Sequence, residues 1–466
     1  MAGMFGTDGV RARINTGAMT AEAIVRLALA SGRWFIDNNP EDRSGRPLVV
    51  IGKDTRVSGY MVEAALVAGF TSIGMDCRLL GPMPTPGVAY LTSSLRAHLG
   101  VMISASHNPH HDNGIKLFGP DGFKLDDSIE LGISELASGS IELSEPELLG
   151  RASRMLDSVG RYVEFAKSTL ASDVRFDGMK VVVDCANGAA YRTAPDTLRD
   201  LGAEVVAIAN EPDGFNINEG CGAVYPQTLA ASVLAHGADV GVALDGDADR
   251  LILVDETGAE VNGDQVLACL AGAMKAAGTL EGAGVVGTVM TNGGIEPFLE
   301  GLGLSLHRTN VGDRYVLECM KREGLNLGGE SSGHILLTSL STSGDGLIAA
   351  LQMLHLLSKS GQPASKLFQA FEARAQKLVN LEGIDPAVLK QPPVVDALAA
   401  IEARIAGSAR ILVRPSGTQS LIRVMVEADD EALLDEVMQE IILLIEDRAK
   451  KSKKKQISGA EQILSL

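Results

Sequence analysis

Apolar runs of strand length recur along the chain between helix-length stretches, and three segments repeat one order of strand, helix, strand, helix, strand and polar loop. The first strands open on Val49-Val50-Ile51-Gly52-Lys53-Asp54, Val181-Val182-Val183-Asp184-Cys185-Ala186 and Val285-Val286-Gly287-Thr288-Val289-Met290. The second strands run through residues 73–78, 201–206 and 302–307. Each segment closes on a loop dense in hydroxyl, carboxyl or imidazole groups: Ser104-Ala105-Ser106-His107-Asn108-Pro109, Asp245-Gly246-Asp247-Ala248-Asp249-Arg250 and Gly329-Glu330-Ser331-Ser332-Gly333-His334. Parallel α/β units bind ligands beyond the carboxyl ends of their strands, so three equivalent loops predict one shared cleft.

The pattern predicts an α/β domain over 1–161, a second over 162–256 and a third over 257–374. A module without the repeat follows over 375–447, and a flexible basic tail over 448–466. The first domain carries a helix over Ala21–Ile36. In the module, a helix over Val394–Ile405 precedes the loop Arg414–Ser420, a strand over Leu421–Glu427 and an amphipathic helix over Asp430–Glu446, which together read as a small α+β domain. With 466 residues the chain is too long for one core and suits several.

Charge narrows the partners. The formal net charge is −18, and because six basic residues crowd into Arg448–Lys455 the rest is more acidic still, which argues against a nucleic-acid partner. A phosphorylated ligand must then be met by a local reversal of sign from a few arginines, lysines and backbone amides. No apolar run reaches the length of a bilayer span, and Met1–Val10 has neither the basic nor the apolar part of a leader, so a cytoplasmic protein with no membrane partner is expected. Cys77, Cys185, Cys221, Cys269 and Cys319, odd in number and widely spaced, read as reduced core residues.

Asp245, Asp247 and Asp249 follow the apolar strand Val240–Leu244. If the segment is extended, the three carboxylates point one way and repel unless a cation sits among them, and an all-oxygen set favours Mg²⁺ over zinc. A calcium-like or merely acidic turn is the alternative. Gly246 permits close backbone approach, and Arg250 offers a phosphate partner. Ser104, Ser106 and His107 precede Asn108-Pro109, so the chain must turn there, and its hydroxyls are expected to be exposed; one serine could act as a nucleophile or carry a phosphate. Lys116, in a hairpin-like stretch 112–116, is expected to aim back at the cleft. Glu330, Ser332 and His334 suit the hydroxyls of a sugar, while Arg414, Ser416, Gly417 and Thr418, with Arg423 beyond, suit an anion.

Taken together, the Ser-Ala-Ser-His-Asn-Pro, Asp-Gly-Asp-Ala-Asp-Arg, Gly-Glu-Ser-Ser-Gly-His and Arg-Pro-Ser-Gly-Thr signatures resemble the α-D-phosphohexomutase superfamily, in its order and over essentially the whole chain. The resemblance implies three related α/β domains and a C-terminal α+β domain of the TATA-binding-protein type around a central cleft. It implies that Ser106 is the phosphoserine and a metal ligand through its phosphate, that Asp245, Asp247 and Asp249 hold Mg²⁺, and that Arg11, His107, Lys116 and Arg250 surround the transferring phosphoryl group. Glu330 and Ser332 match the sugar-contacting pair, and Arg414, Ser416, Gly417 and Thr418 the loop for the distal phosphate. The acid and base stay open between Lys116, His107 and His334. Phe5–Arg11, residues 112–124 and Val311–Tyr315 are most similar to members acting on hexosamine phosphates, which implies an isomerase that moves a phosphoryl group on such a sugar, primed by a sugar bisphosphate and supplying amino-sugar precursors of peptidoglycan. A homodimer is one possible assembly. A glucose- or mannose-phosphate mutase and a non-catalytic sugar-phosphate scaffold are the rival readings. Ala12, Ser331 and Gln419-Ser420 depart from the usual motifs without removing a chemical side chain.

Overall fold

The structure, a computed structural model, describes residues 5–6, 9–38, 46–415 and 421–464, with side chains as far as Lys451. The first sheet contains β1 (Val10–Arg13), β2 (Leu48–Lys53), β3 (Asp76–Pro82), β4 (Leu99–Ile103), β5 (Asp112–Phe118) and β6 (Ala152–Arg154), in the order β1-β5-β4-β2-β3-β6. The second contains β7 (Lys180–Asp184), β8 (Glu204–Ile208), β9 (Val240–Leu244), β10 (Leu251–Asp255) and β11 (Glu260–Val261), in the order β11-β10-β9-β7-β8. It thus reaches a few residues past the boundary expected at 256. The third is β12 (Gly284–Thr288), β13 (Ser305–Thr309), β14 (Leu327–Gly329) and β15 (Ile335–Leu337), in the order β13-β12-β14-β15.

The three share one plan. The first strand of each repeat pairs in parallel with both the second and the third, and the third is then met by an antiparallel return strand: β4 by β5, β9 by β10, β14 by β15. The order β5-β4-β2-β3 is therefore reproduced as β10-β9-β7-β8 and β15-β14-β12-β13. Strands β4, β9 and β12 are buried at every position, as expected for parallel-sheet strands covered on both faces, which is why they read as continuous apolar runs. The return strand explains the polar loops: each must reverse the chain within a few residues at the carboxyl end of a central strand.

Contacts group the chain into two units, Met1–Met290 with Phe298–Ala370, and Thr291–Pro297 with Phe371–Leu466. The first holds the three repeats. Between its domains, Tyr162 on the helix Ser158–Ser168 donates its hydroxyl to both carboxylate oxygens of Asp345 at 3.0 Å. The second unit has β16 (Ala375–Glu382), β17 (Ala409–Pro415) and β18 (Leu421–Ala428) in the antiparallel order β16-β18-β17, covered by the helices Pro392–Ile405 and Glu431–Leu464 around Val394, Ile401, Val424, Val426, Val437 and Ile441. Residues 291–297, expected within the third domain, bond here: Gly293 donates its N–H to Glu427, as does Arg410 Nη2 at 2.8 Å, and Asn292 Nδ2 donates to the Arg374 carbonyl. The last helix runs on to Leu464, so most of 448–466 has a helical backbone where a flexible tail was expected. Lysine is a good helix former, and Lys450–Glu446 and Lys451–Asp447 are i,i+4 ion pairs that carry the helix across residue 447.

All five cysteines are free thiols, and burial pushes those of Cys77, Cys221 and Cys269 up to about 12, far from redox-active values. Cys319 neighbours His307 and Glu323, but the Arg322 guanidinium 3.2 Å from its Sγ disfavours a second cation there. Among the described residues no helix is long and apolar enough to cross a membrane.

Candidate active site

Within the first unit the polar loops of the first two repeats come into direct contact. Ser106 Oγ donates to Asp245 Oδ2 at 2.6 Å, and His107 Nδ1 lies 3.4 Å from the same hydroxyl. Gly246 makes the approach possible: a Cβ there would stand 2.5 Å from the Ser106 carbonyl oxygen and 2.8 Å from Asn218 Nδ2. The hydroxyls of Ser104 and Ser106, expected at the surface, are buried instead, with residue exposures of 1% and 2%. The tight reversal into β5 folds the loop inward against the second repeat.

Asp245, Asp247 and Asp249 converge, with one oxygen of each within 4.8 Å of the others. They do so through a turn rather than along an extended strand: the Ala248 N–H bonds the Asp245 carbonyl, and Ala248 is left-handed at φ 59°. Extended alternation was the wrong local geometry for the right convergence. Lys116 on β5, 2% exposed, spans Asp247 Oδ2 at 2.9 Å and Asp249 Oδ2 at 3.0 Å, and Thr85 Oγ1 donates to Asp247 Oδ2 at 2.5 Å. One oxygen each of Asp247 and Asp249 is buried without a hydrogen-bond partner. Burial, then the charges of Asp249 and Asp247, pushes the Asp245 carboxyl up to about 8. Burial acts the same way on Asp249, yet Lys116 and then His334 hold it well below the usual carboxylate range. A cluster in which burial and neighbouring carboxylates raise one carboxyl, and in which one oxygen each of Asp247 and Asp249 lacks a hydrogen-bond partner, could hold a cation.

Arg250 follows directly, its N–H 3.2 Å from Asp245 Oδ1. Arg11 sits on β1, opposite Gly114 of β5. Burial, then Arg250 and Arg11, takes the His107 imidazole down to about 4, so it is neutral at neutral pH. In the third repeat the Glu330 carboxylate accepts the Gly312 N–H at 2.9 Å and Ser332 is exposed. His334, grouped with them as a sugar contact in the sequence, is buried, with its ring nitrogens 3.6 Å from Asp249 Oδ1 and 3.6 Å from Asp313 Oδ2. Burial would lower its pKa, but Asp249 outweighs that and raises it. The geometry therefore joins His334 to the aspartate loop.

In the second unit Arg414 of β17 and Arg423 of β18 stand directly opposite one another. Burial and the Arg423 charge lower the pKa of Arg414, and Arg423 Nε is buried without a hydrogen-bond partner among the described residues. Paired like charges of this kind suit an anion. Ser416, Gly417 and Thr418 lie outside the described residues. Sequence reasoning overlooked Asp54, Arg56, Thr85, Asn218 and Asp313. For Asp54 and Arg56 a signal existed: charged residues directly after the apolar strand 49–51, at the same sheet edge as the three loops.

A buried serine hydroxyl against three converging carboxylates, with Lys116, His107 and Arg250 beside them on a threefold α/β repeat, is an arrangement suited to phosphoryl transfer, and similarity to known proteins places the chain in the sugar-phosphate mutase class. Models for phosphoglucomutase/phosphomannomutase domains match in order: alpha/beta/alpha domain I over residues 2–142, domain II over 160–258, domain III over 262–374 and the C-terminal domain over 366–444. The chain belongs to this family. It is 55% identical over 449 residues to a phosphoglucosamine mutase of Paracoccus denitrificans, covering 96% of this chain and 99% of that one. It is 54% identical over 440 residues to that of Phenylobacterium zucineum, covering 94% and 97%. A crystal structure of a phosphoglucomutase/phosphomannomutase family protein from Burkholderia thailandensis shares the fold, with a TM-score of 0.78 at 22% identity over 96% of this chain and 98% of that one.

Proposed function

We propose that the chain interconverts glucosamine 6-phosphate and glucosamine 1-phosphate in the cytoplasm, through phosphorylated Ser106 and a sugar bisphosphate, and so supplies amino-sugar precursors for the cell wall. The observation that carries the reading is the 2.6 Å contact between Ser106 Oγ and the aspartate triad, which sets an acceptor hydroxyl at a cation site. Near-full-length identity above half with phosphoglucosamine mutases supports the amino sugar over glucose or mannose phosphates.

The triad fits Mg²⁺: all donors are oxygen, and one oxygen each of Asp247 and Asp249 is buried without a hydrogen-bond partner. When bound, Mg²⁺ neutralises charge on the phosphoserine during transfer. The protein's own groups do the rest. The bond from phosphorus to Ser106 Oγ breaks as one forms to the sugar hydroxyl, whose proton passes to a base; neutral His107 beside Ser106 suits acceptance, and the same imidazole returns the proton when the transfer runs in reverse. We assign the transferring group to Lys116 and Arg250, the sugar to Glu330 and Ser332, and recognition of the phosphate that is not reacting to Arg414, Arg423 and residues 416–418. After the first transfer the bisphosphate turns end for end and Ser106 takes back the other phosphoryl group.

The test is a coupled assay for glucosamine 1-phosphate formed from glucosamine 6-phosphate, primed with sugar bisphosphate, with glucose and mannose phosphates run beside it. The expected result is the highest kcat/KM on the amino sugar. Equal or higher values on a neutral hexose would move the assignment to that substrate. Failure to take labelled phosphate from a bisphosphate would make the chain a sugar-phosphate scaffold.

A further inference from the structure

Ser106 adopts a left-handed backbone at φ 52°, a conformation that a residue with a side chain holds only when its surroundings enforce it. Both of its backbone polar groups are tied to one buried ion pair. Its N–H donates to Ser104 Oγ at 2.9 Å, and that hydroxyl donates to Asp54 Oδ2 at 2.7 Å. Its carbonyl accepts Arg56 Nη2 at 2.9 Å, and Arg56 Nε closes the ring on Asp54 Oδ2 at 2.8 Å. The side chains of Asp54 and Arg56 are both fully buried. Arg56 also donates to the carbonyls of Asn108 at 2.7 Å, Asp112 at 3.1 Å and Pro109, so one guanidinium gathers four carbonyls of the loop. From the second repeat, Asn218 Nδ2 donates to the carbonyls of Ser106 at 3.0 Å and Asn108 at 3.2 Å.

We infer that the Asp54–Arg56 pair is a positioning device for the nucleophile: acting through Ser104 on one side and directly on the other, it holds Ser106 in the left-handed conformation that aims Oγ at Asp245. It acts on the nucleophile through the backbone of the serine loop. The inference also gives Ser104 a role. With its hydroxyl engaged as donor and acceptor, Ser104 is a relay in the clamp and not a second nucleophile. The fork geometry matters, because a lysine carries the same charge but its single ammonium cannot serve four carbonyls in a plane. The inference rests on Ser106 being the phosphoryl acceptor.

The experiment measures the rate at which full-length protein takes labelled phosphate onto Ser106 from glucose 1,6-bisphosphate, together with kcat, KM, the Mg²⁺ half-saturation and the melting temperature. The proteins are wild type, Arg56→Lys, Ser104→Ala and the double variant. The expected result is a fall in phosphorylation rate and kcat of about thirtyfold for Arg56→Lys and about fivefold for Ser104→Ala, with KM and Mg²⁺ half-saturation within about twofold of wild type. Because both changes release the same residue, the double variant should lose less than the product of the two. Ser104→Ala, a small change, keeps the test alive if Arg56→Lys folds poorly. Phosphorylation within about twofold of wild type in folded Ser104→Ala, or losses that simply multiply, would overturn the clamp. No label on wild-type Ser106 would instead overturn the assignment of the nucleophile.

Discussion

The loop after β4 and the loop after β9 occupy the same place in the same sheet order, yet their interactions are opposite in kind. In the serine loop the Ser106 N–H and carbonyl and both serine hydroxyls have partners, and a buried guanidinium gathers four carbonyls beneath it. In the aspartate loop three carboxylates crowd together, two of their oxygens lack a hydrogen-bond partner, and one carboxyl is pushed up to about 8. The common backbone plan thus supports two uses of burial. Where every group is satisfied, burial fixes the aim of a nucleophile; where they are not, it stores repulsion that a cation relieves.

The largest way to break the contrast is Ser106→Ala, which removes the acceptor and leaves the clamp and the triad standing. Turnover should fall about a thousandfold or more, with sugar-phosphate binding largely kept. Steady-state kinetics and calorimetry on a preparation free of contaminating mutase check this, and near-normal turnover would place the nucleophile elsewhere. Asp247→Asn tests the other loop. A hard anionic ligand becomes a neutral one, so Mg²⁺ half-saturation should rise about tenfold or more, while metal-free stability holds or increases because repulsion is relieved. An unchanged Mg²⁺ titration would remove the triad as the metal site.

A third loop sharpens the comparison. Glu330 lies after β14, in the position equivalent to the other two, whereas Arg414 belongs to the second unit, which lacks the repeat. Glu330→Ala removes an acceptor able to tell an amino group from a hydroxyl and should change the ratio of kcat/KM between glucosamine and glucose phosphates. Arg414→Ala should raise KM on both by a similar factor of about tenfold to a hundredfold, the effect of losing a charged hydrogen bond worth roughly 1.5 to 3 kcal/mol. A sugar-selective loss in Arg414→Ala would reverse the two assignments.

How far these roles were legible in the sequence follows from range. The three repeats and the strand Val240–Leu244 are local or periodic, and apolar patterning carries them; Lys116 was expected only to aim at the cleft, since its partners Asp247 and Asp249 lie in another repeat. The return strands β10 and β15 were not read, because a short buried strand after a polar loop has no alternation to mark it. The burial of Ser104 and Ser106 was missed because it depends on Gly246 in another repeat, 140 residues away from Ser106 along the chain. His334 looked like a partner of Glu330 by spacing, whereas the turn at Gly333 sends its ring to Asp249. Arg56 was marked only by its place after the apolar strand 49–51; its partners left no trace, since they are backbone carbonyls, which every sequence contains.

The last effect, on stability and not on turnover, concerns what lies beneath the aspartate loop. Asp345 caps the helix Gly346–Ser360 by accepting the Ile348 N–H, takes the Tyr162 hydroxyl, and stands beside Gly346, whose N–H bonds the Ala248 carbonyl. Burial pushes its carboxyl up to about 7 from an ordinary value of 3.8. The folded state therefore binds this proton more tightly than the unfolded chain. The stability it contributes is complete below the unfolded value and is lost as pH rises through about 7. Asp345→Asn imitates the protonated side chain, keeping an acceptor for both the cap and the tyrosine while losing the titration. The variant's stability relative to wild type should accordingly grow by on the order of 2 to 3 kcal/mol between pH 5 and pH 8, read from melting temperatures at each pH. A difference that stays level across that range would mean that Asp345 is ionised throughout. The unsatisfied electrostatics of the aspartate loop would then end at the loop itself rather than extend to the helix end that supports it.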